Sequence, residues 1–220
     1  MNLGELKDYV ARWVDDKNFA YFTEADVEAR INLAQKELQK RLISANEQYF
    51  SICVSTNTVI GQNAYALPSD FIQVIRLERI LSGTGNQLNT LQLLPITPNQ
   101  VNLYPYGSGA SGYPVNYYFQ NRTIILAPTP SIVCNIHLHY SYIVTDMVND
   151  SDEPDANIPA NMHEYIGVLA TRDCLFQDNR EITPIQLKMT YYETLLKEIA
   201  VQRNADVSRM VTVTGDGGNW

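Results

Sequence analysis

Residues 136–176, IHLHYSYIVTDMVNDSDEPDANIPANMHEYIGVLATRDCLF, decide how the chain divides. The stretch opens with a strand pattern. Between Ile132 and Val144 apolar and polar residues roughly alternate, which sets Ile136, Leu138, Tyr140 and Tyr142 on one face. An acidic loop follows from Asp146 to Asp155, closed by Pro154 and Pro159. A helix then restarts. Asn161 is placed to cap its free N–H groups, and Met162, Tyr165, Ile166, Leu169 and Phe176 recur at helical spacing. The stretch therefore passes from a β-layer to a helical layer.

Working outward toward the N-terminus, two amphipathic helices open the chain. Leu3, Leu6, Val10, Trp13 and Val14 form the stripe of the first, with Asn2 as its cap. The second begins at Thr23, carries Glu24 and Asp26 where the helix dipole favours them, and ends near Asn46. Its stripe is Val27, Ile31, Ala34, Leu38 and Leu42. Between the helices and the central stretch lie short strand patterns with turn signals: Phe50–Ser55, Ala64–Leu67, Val74–Leu81, Leu88–Leu94, Pro114–Phe119 and Thr123–Ala127. Ser69 is placed to cap one helical turn after Pro68, Thr97-Pro98 to start another, and QNRT to form a tight hairpin. Toward the C-terminus, Thr183-Pro184 reads as cap and first helical position of a last helix. Its stripe is Ile185, Met189, Tyr192, Leu196 and Ile199, and it frays around Asn204.

These patterns predict an α+β fold. A helical bundle drawn from both chain ends stands beside a small antiparallel β-sandwich or open barrel, with an extended C-terminal tail. The expected divisions are residues 1–48 for the first helices, 49–145 for the β domain, 146–204 for the acidic linker and remaining helices, and 205–220 for the tail. Of 220 residues, 45% are hydrophobic, enough for one sizeable core or two small ones. The net charge of −8 argues against a general nucleic-acid binder, which needs clustered Lys and Arg. Cys53, Cys134 and Cys174 are odd in number and widely spaced, which argues against a disulfide framework and for a reducing compartment. No apolar run approaches the roughly 20 residues of a membrane span, so no membrane is expected. The charged start MNLGELKDYV does not read as a signal peptide.

Candidate chemistry is sparse. His137 and His139 lie two apart on one strand face, a spacing that can chelate zinc, but no third ligand is evident nearby in sequence. They read as half-exposed strand histidines. Asp150, Asp152, Glu153 and Asp155 invite a calcium reading. Pro154, Asp155 and Asn161 stand where an EF-hand needs a ligand, its glycine and its bidentate Glu, so the loop reads as solvated. Cys174 reads as core, and Arg76, Glu78 and Arg79 as surface charge. No GxSxG, P-loop, HExxH or strand-linked GxGxxG motif occurs. No enzyme activity, catalytic residue, metal or cofactor is therefore expected. The loop YPYGSGASGYP, residues 104–114, reads as a surface loop or as a contact loop ordered by a neighbouring subunit, with Tyr104, Tyr106 and Tyr113 as anchors.

Three passages carry a family likeness: VEARINLAQKELQKRL at 27–42, YALPSDFIQVIRLERI at 65–80, and residues 138–176 with their strand, acidic linker and Pro-led helix. Together with the order of parts they resemble the head–tail connector adaptors of tailed bacteriophages, also called head-completion or tail-accessory proteins. The resemblance implies a structural virion protein at the head–tail junction, assembled in the host cytoplasm. It implies a ring, twelve copies being usual in that family, that binds the portal protein and tail or nozzle proteins. DNA would pass through the channel without specific binding, and an acidic wall would repel its phosphates. A C-terminal extension reaching into the portal is also implied. Here it would use Arg209, Met210, Val211, Thr212, Val213 and Trp220, since MVTVT alternates like a strand ready for a partner's sheet edge. Two other classes remain open at this point. One is a tail-associated carbohydrate- or receptor-binding β-sandwich protein, whose 14 tyrosines would stack on sugars. The other is an enzyme with an unrecognised site.

Overall fold

The computed structural model describes residues 1–46, 48–82, 89–101 and 111–210. It is mixed α+β, with four α-helices and largely antiparallel sheets among the described residues, and the described strands do not close into a barrel. Contacts divide it into two compact units, residues 50–143 and residues 1–49 with 144–220.

The first and last parts of the chain form the helical unit. Helix α1 (Leu3–Trp13) starts at an Asn2–Glu5 capping box, and α2 (Glu24–Ala45) at a Thr23–Asp26 box. Helix α3 (His163–Gln177) packs against α1, α2 and α4 (Thr183–Met210). Its central position explains why Tyr165, Ile166, Val168, Leu169 and Ala170 are all fully buried. No helix among the described residues is long and apolar enough to cross a membrane.

Three helix-end expectations fail. Asn161 does not cap α3. Pro159 leads instead into a 3-10 turn, Ala160–Met162, and Asn161 is spent inside it. Phe176 is not in the core: in the last turn Cys174 and Leu175 face inward and Phe176 is exposed. Thr183 is already helical. The amide N–H groups of Ile185 and Gln186 both donate to the Ile182 carbonyl, while the Thr183 hydroxyl donates to Glu181. The last helix also runs on past Asn204 to Met210, because ADVSRM contains no Pro or Gly to stop it.

Residues 50–143 hold two four-stranded sheets. Strands β1 (Ser51–Asn57), β10 (Asn135–Tyr142), β3 (Phe71–Ser82) and β4 (Asn89–Gln92) form one, in that spatial order. Strands β2 (Ala64–Ala66), β8 (Thr123–Ala127), β7 (Asn116–Gln120) and β5 (Leu94–Pro95) form the other, with β5 running parallel to β7. A parallel pair of two-residue strands, β6 (Ser111–Gly112) and β9 (Thr129–Pro130), stands apart. Both large sheets feed one apolar cluster: Leu77, Ile136, Leu138 and Tyr140 from the first, Tyr117, Ile124 and Leu126 from the second. The single strand expected over 88–94 is split. Leu93 is fully buried where the chain switches from one sheet to the other. QNRT makes its two-residue hairpin, with Asn121 at φ 55°. Ser69 and Asp70 form a hydrogen-bonded turn rather than a helical one, closed from Phe71 N–H to Pro68 O.

Candidate functional site

Alternation along β10 does more than build the core. With Ile136, Leu138 and Tyr140 facing inward, His137 and His139 stand on the opposite face of the sheet. The antiparallel register sets Cys53 of β1 directly across from His139, and Ser55 across from His137. On the other flank, β3 sets Arg76 across from His139 and Glu78 across from His137. Cys53 Sγ lies 3.6 Å from His139 Nε2. Glu78 Oε2 lies 3.6 Å from the same nitrogen, and Arg76 Nε holds the other Glu78 oxygen at 3.1 Å. The ligating atoms of Cys53, His137 and His139 all fall within 4.8 Å of one another.

Burial, and then the charge of Arg76, holds the His139 imidazole below its ordinary pKa, so the ring is neutral near pH 7. Burial, and then Glu78, pushes the Cys53 thiol up. The third ligand-type side chain, not evident nearby in sequence, is Cys53, 86 residues from His139 in the chain. Only the strand pairing brings the two together. The other cysteines differ: Cys134 hydrogen-bonds to Thr58, and Cys174 is fully buried, its thiol pushed up to about 11 by burial.

The acidic linker is solvated, with Asp146, Asp150 and Glu153 exposed, yet it is also tied down. Asp150 Oδ1 is 2.8 Å from Lys7 Nζ, which also meets Glu24 at 3.0 Å and Glu28 at 3.3 Å. Burial alone would lower the Lys7 pKa; its hydrogen bonds to Asp150, Glu24 and Glu28 override that and raise it. The Asp152 carboxylate accepts from the Val148 and Asn149 amides, and the carbonyls of Asp150 and Asp152 accept from Gly4 and Leu3 at the start of α1. Asp150 thus shares the Lys7 ammonium with Glu24 and Glu28, whereas Asp152 serves the linker's own amides.

Helix α2 anchors the same linker with a polar ladder. Asn32, Gln35 and Gln39 are buried. Asn32 donates to Met147 O at 2.9 Å and accepts from Met147 N–H at 2.8 Å. Gln35 donates to Thr145 O and Gln39 accepts from Val144 N–H. As the chain leaves the sheet, these side chains take over the backbone partners that a neighbouring strand would supply.

Of the aromatic loop, Tyr113 is described; Tyr104 and Tyr106 lie outside the described residues. Tyr113 is 55% exposed and stacks on the Arg79 guanidinium, whose central carbon is 4.5 Å from the ring centroid. Arg79 is not surface charge. It shares the inward face of β3 with Leu77 and is only 8% exposed. Of the tail residues, Arg209 and Met210 belong to α4, while Val211, Thr212, Val213 and Trp220 lie outside the described residues.

No curated protein matches the chain. A family model does, the SU10 adaptor protein model, across residues 1–215. That span takes in both compact units and α4, so this chain belongs to the SU10 adaptor protein family.

Proposed function

We propose that the chain is a structural phage protein, a subunit of a virion adaptor ring that joins the portal to the tail and extends the DNA channel. The observation that carries this reading is the adaptor match over residues 1–215, since the family name points to a phage structural adaptor. The geometry supports it with surfaces suited to contact. Leu187 and Tyr191, one turn apart on α4, are 75% and 63% exposed, and Phe176 of α3 is 56% exposed. Strands β1 and β4 are the edges of their sheet. Ile52 and Val54 stand half-exposed on β1, beside an apolar groove of about 260 Å³ lined by Val54, Tyr65, Leu126 and Leu138.

On this reading the ring is homo-oligomeric, sits at the head–tail junction, and works by contact rather than catalysis. Portal and tail or nozzle proteins are its partners. DNA passes without specific binding, in keeping with the net charge of −8. Tyr113, with Tyr104 and Tyr106, serves the contact between subunits or with the tail. Arg209, Met210, Val211, Thr212, Val213 and Trp220 bind the portal. Helix α4, 28 residues and about 42 Å long at 1.5 Å per residue, carries that segment.

The test is attachment to portal-containing heads, comparing the full chain with one truncated after Ser208. The truncated chain should keep its thermal midpoint and lose attachment, because a ring multiplies a weak single-tail contact. Equal attachment by both chains rules out the tail as the portal anchor.

A further inference from the structure

We propose that Cys53, His137 and His139 form a binding site for a divalent transition metal of the zinc class, with Glu78 positioned to supply a fourth, oxygen ligand. Nothing in the adaptor match or the proposed connector role assigns this site, and the inference stands independently of both.

The distances fit the chemistry. In a tetrahedral zinc site, bonds of about 2.3 Å to sulfur and about 2.0–2.1 Å to nitrogen put adjacent S and N ligands about 3.5 Å apart. Cys53 Sγ and His139 Nε2 are 3.6 Å apart. All three ligating atoms lie within 4.8 Å of one another, so small side-chain rotations bring them onto one ion. Glu78 Oε2 is also 3.6 Å from His139 Nε2, which matches an oxygen in the fourth position. The donor set, one thiolate, two imidazoles and a carboxylate, suits zinc or cobalt and not magnesium or calcium.

The platform is rigid where it needs to be. His137 and His139 sit on the central strand β10, whose inward residues Ile136, Leu138 and Tyr140 are buried. Cys53 sits on the neighbouring edge strand β1 and is accessible to an incoming ion. The charged residues that the strand register sets across from the two histidines are Arg76 and Glu78. Arg76 is the one cation in the row, and Glu78 holds its guanidinium at 3.1 Å. Ser55, across from His137, is neutral.

Binding forms a metal–sulfur bond and releases the thiol proton to solvent. One thiol proton is exchanged per ion, so affinity rises with pH near neutrality. A bound ion would also staple edge strand β1 to β10.

The experiment titrates the full-length chain with Co²⁺ and follows thiolate-to-cobalt charge-transfer absorption, then displaces the cobalt with Zn²⁺. One Co²⁺ per chain is expected, with a charge-transfer band, displacement by Zn²⁺ and a thermal midpoint raised by Zn²⁺. Cys53→Ser should abolish the band, and Cys134→Ser should leave it intact. His137→Gln and His139→Gln should weaken binding at least tenfold, and Glu78→Gln by about tenfold or more. As a check that needs no variant, Zn²⁺ should protect Cys53 of the unaltered chain from alkylation. Absence of a band at excess Co²⁺, a band that survives Cys53→Ser, or alkylation of Cys53 unaffected by Zn²⁺ overturns the proposal.

Discussion

Replacing Asn32 by Leu tests how the linker is anchored. The two side chains share the same number and branching of heavy atoms, so Leu occupies nearly the same outline with somewhat bulkier ends. Two hydrogen bonds disappear, and the N–H and C=O of Met147, a residue only 3% exposed, lose their partners. Each stranded buried group costs about 1–3 kcal/mol, so about 2–6 in all. The added apolar burial returns about 1 kcal/mol. The expected net loss is therefore about 1–5 kcal/mol, read as a drop in the urea midpoint with an unchanged denaturant slope. Lys36→Ala is the control. It removes the ion pair to Asp146, at 2.6 Å but half-exposed, and should cost less than about 1 kcal/mol. If Asn32→Leu is as mild as Lys36→Ala, the ladder does not hold the linker and the argument fails.

Three further outcomes follow from the packing and charge of the helical unit. A Cβ on Gly167 would stand 2.8 Å from Tyr9 Cδ1, so the overpacking of Gly167→Ala, about 1–3 kcal/mol, should cancel or exceed the roughly 1 kcal/mol gained in helix propensity, a net cost of up to about 2 kcal/mol by calorimetry. Leu38→Ala, at a fully buried position, should cost about 2–5 kcal/mol by the same measurement. Arg172 hydrogen bonds hold the Glu37 carboxyl below its ordinary 4.5 against opposing burial, and Lys188 does the same for Glu164. The folded-state values are thus the lower ones. Their stabilisation is complete above about pH 4.5 and is lost as pH falls through them, so the denaturation midpoint should drop below that pH, less steeply in Glu37→Gln.

Much of this was legible because single-face burial leaves a period in the sequence. Ile136, Leu138 and Tyr140 alternate because one face of β10 meets the core, and the α1 and α2 stripes repeat because each helix buries one side. Helix ends were less legible, since Asn161 and Thr183 have the chemistry of caps and only backbone geometry shows that neither serves as one. Asn32, Gln35 and Gln39 were passed over because a stripe is read by its apolar members. Their own spacing of three and four along the helix was the signal. Arg79 was misread by its charge, although its place two residues after Leu77 already put it on the inward face. Cys53 was out of reach: its partnership with His139 depends on register between strands far apart in the chain, which one sequence does not encode locally.

The most direct measurement of the adaptor reading is the mass of the assembly formed when the purified chain is mixed with its portal ring, read by native mass spectrometry. The account predicts one dominant species in which the portal gains a fixed, whole number of copies of this chain. A portal ring whose mass is unchanged by saturating chain contradicts it.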